Sequence, residues 1–96
     1  MFDFISYSRD SGFEIKIIPP VDGVLIHLEL RDPDTGYFER RAITDREASS
    51  CSNIDRYTGQ VLDTMAAKIG ARKAQLYADR HISKQLRERE NFFRSK

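Results

Sequence analysis

The 96-residue chain predicts an α+β fold: a three-stranded antiparallel β-meander with a candidate fourth strand, then a short helix and a long C-terminal helix. Three observations predict it. Apolar and polar residues alternate with period two through the first half, the signature of half-buried strands. All three prolines and four of the five glycines lie at or before Gly59, which confines tight turns to the front of the chain. From about residue 54 the apolar spacing changes to three and four, the helical period. The length fits one domain, 1–96, with a β-meander part over 1–44 and a helical part over 45–96.

Residues 2–7 place Phe2 and Phe4 at strand spacing and are the candidate fourth strand. "FEIKII" (13–18) alternates, with Phe13, Ile15 and Ile17 on one face. Pro19 and Pro20 cannot continue a central strand, and Asp22-Gly23 is turn chemistry. "VLIHLELR" (24–31) is the clearest strand: Val24, Ile26, Leu28 and Leu30 share one face, and Leu25, His27, Glu29 and Arg31 the other. "DPDTG" (32–36) reads as a hairpin loop, with Pro33 at the first central position of a turn and Gly36 supplying a left-handed residue. "YFERRAI" (37–43) returns as the third strand. The expected register sets Phe38 and Ala42 against the core face of 24–31, leaving Tyr37, Glu39 and Arg41 on the open face. A slip by one residue would put Glu39 and Arg41 on the core side.

Helix signals follow. Thr44 and Glu47 form a capping box, in which the hydroxyl bonds the amide three residues on and the carboxylate reaches back. Ser52 and Asp55 form a second, weaker one. Ile54, Tyr57, Val61, Leu62, Met65 and Ile69 then make one apolar stripe. The expected core is Ile15, Ile17, Ile26, Leu28, Leu30 and Phe38 against Ile54, Tyr57, Val61, Met65 and Ile69. Beyond Gly70 a weaker stripe runs through Ala71, Ala74, Ala78, Ile82, Leu86 and Phe93, with no further Gly or Pro. A single straight helix over 53–94 would be about 63 Å long, too long for a domain of this size to cover. Either it breaks near Gly70 and folds back, or its far half projects and seeks a partner.

Net charge is +1, yet residues 72–96 hold eight Lys/Arg against three Asp/Glu, giving +5, and residues 1–71 hold eight against twelve, giving −4. Such a basic tail suits a solvated helix face or an anionic partner. The stretch "RRAITDREA" (40–48) resembles the sheet-to-helix junction in arm-type DNA-binding domains of phage integrases, matched at Thr44, Glu47 and Ala48. The likeness covers nine residues and is mostly a capping box, and the rest of the chain departs from that pattern.

Catalytic signatures are absent from the sequence: no Gly-rich phosphate loop, no nucleophile elbow, no Cys/His cluster at metal spacing. His27 and His81 stand far apart in sequence. Cys51 has no Cys-x-x-Cys partner and reads as a small buried residue in a reducing compartment. The expectation is therefore a non-enzymatic, cytoplasmic protein with no cofactor, no metal and no membrane span, acting by protein–protein contact. Small charged chains of this kind are common among phage and mobile-element accessory proteins and inhibitors. The candidate interface residues are Tyr37, Arg41, Ile82, Leu86, Phe92 and Phe93, with a homo-oligomer formed through the long helix. The alternative is nucleic-acid binding through Arg40, Arg41, Arg80, Lys84 and Arg87.

Overall fold

A computed structural model describes the backbone of residues 2–94 and the side chains of residues 2–81. The elements run α1 (Phe4–Ser11), β1 (Glu14–Ile18), β2 (Val24–Arg31), β3 (Phe38–Thr44), α2 (Asp45–Ser49) and α3 (Ile54–Arg94). The strands form one antiparallel sheet in the order β1-β2-β3. The α+β meander with a short and a long helix after it is thus present.

The start of the chain differs from expectation: residues 2–7 are not a fourth strand. Asp3 caps a helix instead, its carboxylate accepting the Ser6 amide at 3.0 Å and the Ser6 hydroxyl at 2.7 Å. Gly12 ends that helix at φ 78° with its amide on the Ser8 carbonyl, the left-handed closure glycine permits. A Phe2/Phe4 spacing of two reads as a strand, but Phe4 and Tyr7 are also one helical turn apart, and the cap decides. Phe2, Phe4 and Tyr7 then pack against the core from the same side as α3.

The register of the hairpin is the second correction. Leu28 pairs with Arg41, Leu30 with Glu39, and Arg31 with Phe38. Phe38 therefore lies on the open face and is 48 % exposed, not in the core, and Glu39 and Arg41 lie on the helix side. Two causes act together. The loop closes with the Asp32 amide donating to the Tyr37 carbonyl and the Gly36 amide to the Asp32 carbonyl, both at 2.8 Å. The shift also seats Ile43 in the core with no exposed surface. β3 is an edge strand, so the charged ends of Glu39 and Arg41 escape sideways rather than being buried.

The core is Leu28, Leu30 and Ile43 from the sheet against Val61, Leu62, Met65 and Ile69 from α3. These α3 positions follow the three-and-four spacing. Fully burying each large aliphatic side chain contributes about 1.5–3 kcal/mol before ordering costs. Ile15, Ile26, Ile54 and Tyr57 border the core, while Ile17 is half exposed at the β1 edge. The helices cover one face of the sheet. The other carries cross-strand rows Glu14–Arg31–Phe38, Lys16–Glu29–Arg40 and Ile18–His27–Ala42.

Candidate interaction surface

The helix α3 is continuous through Gly70, where a straight helix and a break were both open to the sequence. Its 41 residues span about 60 Å, whereas the longest strand has eight residues, about 26 Å. The molecule is accordingly 69 × 24 × 23 Å, with a radius of gyration of 19.4 Å against the roughly 12–13 Å of a compact domain this long. Among the described residues the last fully buried one of α3 is Ile69, and from Tyr77 to His81 every residue is exposed. The exposed Ala71, Ala74 and Ala78 fall on the weaker stripe read from the sequence. The side chains of Ile82, Lys84, Leu86, Arg87, Phe92 and Phe93 lie outside the described residues.

Two polar clusters tie α3 to the sheet, one at the hairpin tip and one at the start of the helix. At the hairpin tip, buried Asp32 accepts the Thr35 hydroxyl at 2.8 Å and the Asp34 amide at 3.3 Å. Lys73 Nζ reaches Asp32 at 3.3 Å and Asp34 at 3.0 Å, and the Arg72 guanidinium lies 4.5 Å over the Tyr37 ring. Burial pushes the Asp32 carboxyl up, but the bonds from Thr35, Asp34 and Lys73 outweigh it and hold it below its ordinary value. The carboxylate of Asp34, then burial opposing it, then Asp32 leave the Lys73 ammonium raised. Tyr37 is thus half-buried under Arg72 and engaged within the chain.

At the sheet-to-helix junction, Arg41 makes a two-pronged ion pair with Glu47, at 3.1 and 2.8 Å. It also bonds the Ala42 carbonyl. The Tyr57 hydroxyl donates to the same carboxylate, and the capping box of Thr44 and Glu47 is formed as its spacing predicts. The Arg41 guanidinium first and the Tyr57 hydroxyl second hold the Glu47 carboxyl down at about 2. Cys51 is half-buried, its Sγ 3.1 Å from the Glu47 carbonyl oxygen. A cleft of about 300 Å³ lies beside this junction, floored by Val61 and Met65 and rimmed by Arg41 and Lys68.

Arg40 turns to the open face, bonding Glu29 at 2.8 Å and lying over the Phe38 ring. Arg40 and Arg41, candidates for one nucleic-acid surface, therefore point to opposite sides of the sheet and each carries an acidic partner. Arg80 is exposed on α3, about two turns beyond Lys73. The sequence signalled the Thr44–Glu47 box but not its long-range partners Arg41 and Tyr57. Lys73 and Arg72 were read only as basic surface, because a clamp across 39 residues leaves no local pattern.

Among the described residues no group of three or more His, Cys, Asp or Glu is placed to hold a metal ion, and no helix is long and apolar enough to cross a membrane. The fold and surface define a small single-domain α+β protein carrying a helix that outruns its sheet. No protein family, curated protein or solved structure matches this chain.

Proposed function

We propose that the chain works by protein–protein contact, with the far half of α3 as the contact element and a second copy of the chain as its first partner. The observation that supports it is the reach of α3 beyond the sheet, with every residue from Tyr77 to His81 exposed. Tyr77 is 49 % exposed there. The sequence beyond supplies Ile82, Leu86, Phe92 and Phe93, more apolar residues than a purely solvated helix needs. The hairpin clamp of Lys73 and Arg72 sets the angle at which this arm leaves the body.

Nucleic-acid binding through Arg40, Arg41, Arg80, Lys84 and Arg87 draws less support. Arg40 and Arg41 are paired and on opposite faces, and Arg72 and Lys73 are occupied by the hairpin. Duplex or single-stranded binding of that kind would weaken steeply with salt.

Sedimentation velocity on the full chain tests the proposal. Leu86→Ser with Phe93→Ser should lower self-association while the unfolding midpoint of the sheet core stays as in the parent. Association unchanged by the double substitution, or a parent that stays monomeric at high concentration, would count against the arm as an interface.

A further inference from the structure

A second surface, independent of α3, lies on the opposite edge of the sheet. β1 is an edge strand, and its helix-side neighbourhood holds the most exposed large apolar residue among the described ones, Ile5 at 82 %, beside half-exposed Ile17. Phe4, Ile5, Ile15 and Ile17 line one shallow cleft between α1 and β1.

The phase of the hydrogen bonds decides which backbone groups are open. The Asp32 amide bonds the Tyr37 carbonyl, so Leu28 and Leu30 also bond toward β3 and His27, Glu29 and Arg31 toward β1. Their partners Ile18, Lys16 and Glu14 face inward. The amides and carbonyls of Ile15 and Ile17 then face outward. At Phe13 the carbonyl already accepts the Ser8 hydroxyl at 2.6 Å and the amide meets the Ser11 hydroxyl at 3.3 Å. Beyond Ile18 the Pro19-Pro20 pair removes the next donors. The open edge is thus a short segment centred on Ile15 and Ile17.

We propose that this edge pairs antiparallel with β1 of a second copy, joining two three-stranded sheets into one of six strands. A two-fold contact must be self-complementary, and the sequence discriminates among the available registers. An axis at Lys16 would set Lys16 against its own copy. An axis at Ile17 would set Ile15 against Pro19, which has no amide to give, and Lys16 against Ile18, which offers no opposite charge. An axis at Ile15 sets Lys16 against Glu14 of the second copy, twice, and Ile17 against its Phe13. The backbone bonds then run between the two Ile15 residues, because the Phe13 amide and carbonyl are already engaged by Ser11 and Ser8. Only this last register joins opposite charges and keeps apolar residues together on the helix side. The α1 helices of the two copies then lie over the joined strands and cover Ile5. Five-residue strands bury little area, so the pairing is weak on its own and adds to the α3 contact.

Charge exchange at Lys16 and Glu14 tests the proposal in the full chain. Lys16→Glu alone and Glu14→Lys alone each set like charges opposite in the symmetric pair, and each should weaken association about tenfold or more in sedimentation equilibrium. Mixing the two variants in equal amounts should restore it, because unlike chains then present opposite charges at both positions. Ile5→Lys, at an exposed site whose change should not disturb folding, should weaken association as well. Circular dichroism of each variant checks that the sheet is retained. Single variants that associate like the parent, or a mixture that shows no recovery, would overturn the β1 pairing. Those outcomes are separable from failure of the α3 arm, which is read with Leu86→Ser and Phe93→Ser in an otherwise unchanged chain.

Discussion

Glu47 shows how much one side chain can tie together. It closes the capping box of α2, receives the Arg41 guanidinium from β3 and accepts the Tyr57 hydroxyl from α3. Three elements thus meet on one carboxylate, which explains why its acidity is so far displaced. Its carboxyl titrates at about 2 rather than the usual 4.5. A carboxyl lowered in the folded state contributes stability that is present above its unfolded value and is lost as pH falls toward the folded one. The difference in urea midpoint between the parent and Glu47→Gln should therefore be widest above pH 4.5 and shrink steadily toward pH 2. A gap independent of pH would mean that the loss is one of packing rather than charge. Tyr7 sets the opposite limb. Burial, and then its bond to Asp63 at 3.0 Å, push its hydroxyl up to about 12. Its contribution is full below pH 10 and is lost between pH 10 and about 12, a loss that Tyr7→Phe should remove.

At the scale of elements, the two helical glycines respond differently to the same change. Gly70 sits in mid-helix, and a Cβ there would meet nothing within 4 Å. Gly70→Ala should stabilise the chain by about 0.5–1 kcal/mol through helix propensity alone. At Gly59 a Cβ would come within 3.2 Å of the Phe2 ring, so Gly59→Ala gains the same propensity but must displace Phe2 from the α3 surface. Its net effect should fall below that of Gly70→Ala, and thermal unfolding of both variants measures the difference. The sequence showed which elements exist wherever the pattern was long: the alternation of 24–31 and the stripe Val61 to Ile69 both map onto the core. It misplaced what hung on one residue. Residues 2–7 have a spacing compatible with either period, and only the Asp3 cap resolves it. The hairpin register turns on whether the loop closes at Tyr37 or one residue later. An edge strand tolerates Glu39 and Arg41 on its helix side, a freedom that a core-face argument does not see. The β1 edge was likewise invisible, since edge status depends on strand order.

At the scale of the whole molecule, the body and the arm draw on different sources of stability. Through Ile69 the helix is held by burial against Leu28, Leu30 and Ile43, and at Lys73 by the hairpin clamp. Past Leu76, half-buried as the last residue before the exposed run, Tyr77 to His81 are all exposed, and a helix with little burial to hold it is marginal in water even with good formers. Native-state hydrogen exchange should reflect that boundary. Amides from Tyr57 to Ile69 should approach the protection of global unfolding, with protection falling away from Tyr77 to His81. The dependence on concentration carries the further information. If a second copy packs along the arm, protection at Tyr77 to His81 should rise as the protein is concentrated, while that of Leu62 and Met65 stays constant until the global limit itself moves. Protection at Tyr77 to His81 that is low and indifferent to concentration would mean that the arm stands in solvent without a like partner. The positive excess of residues 72–96 would then be better explained by a partner of opposite charge.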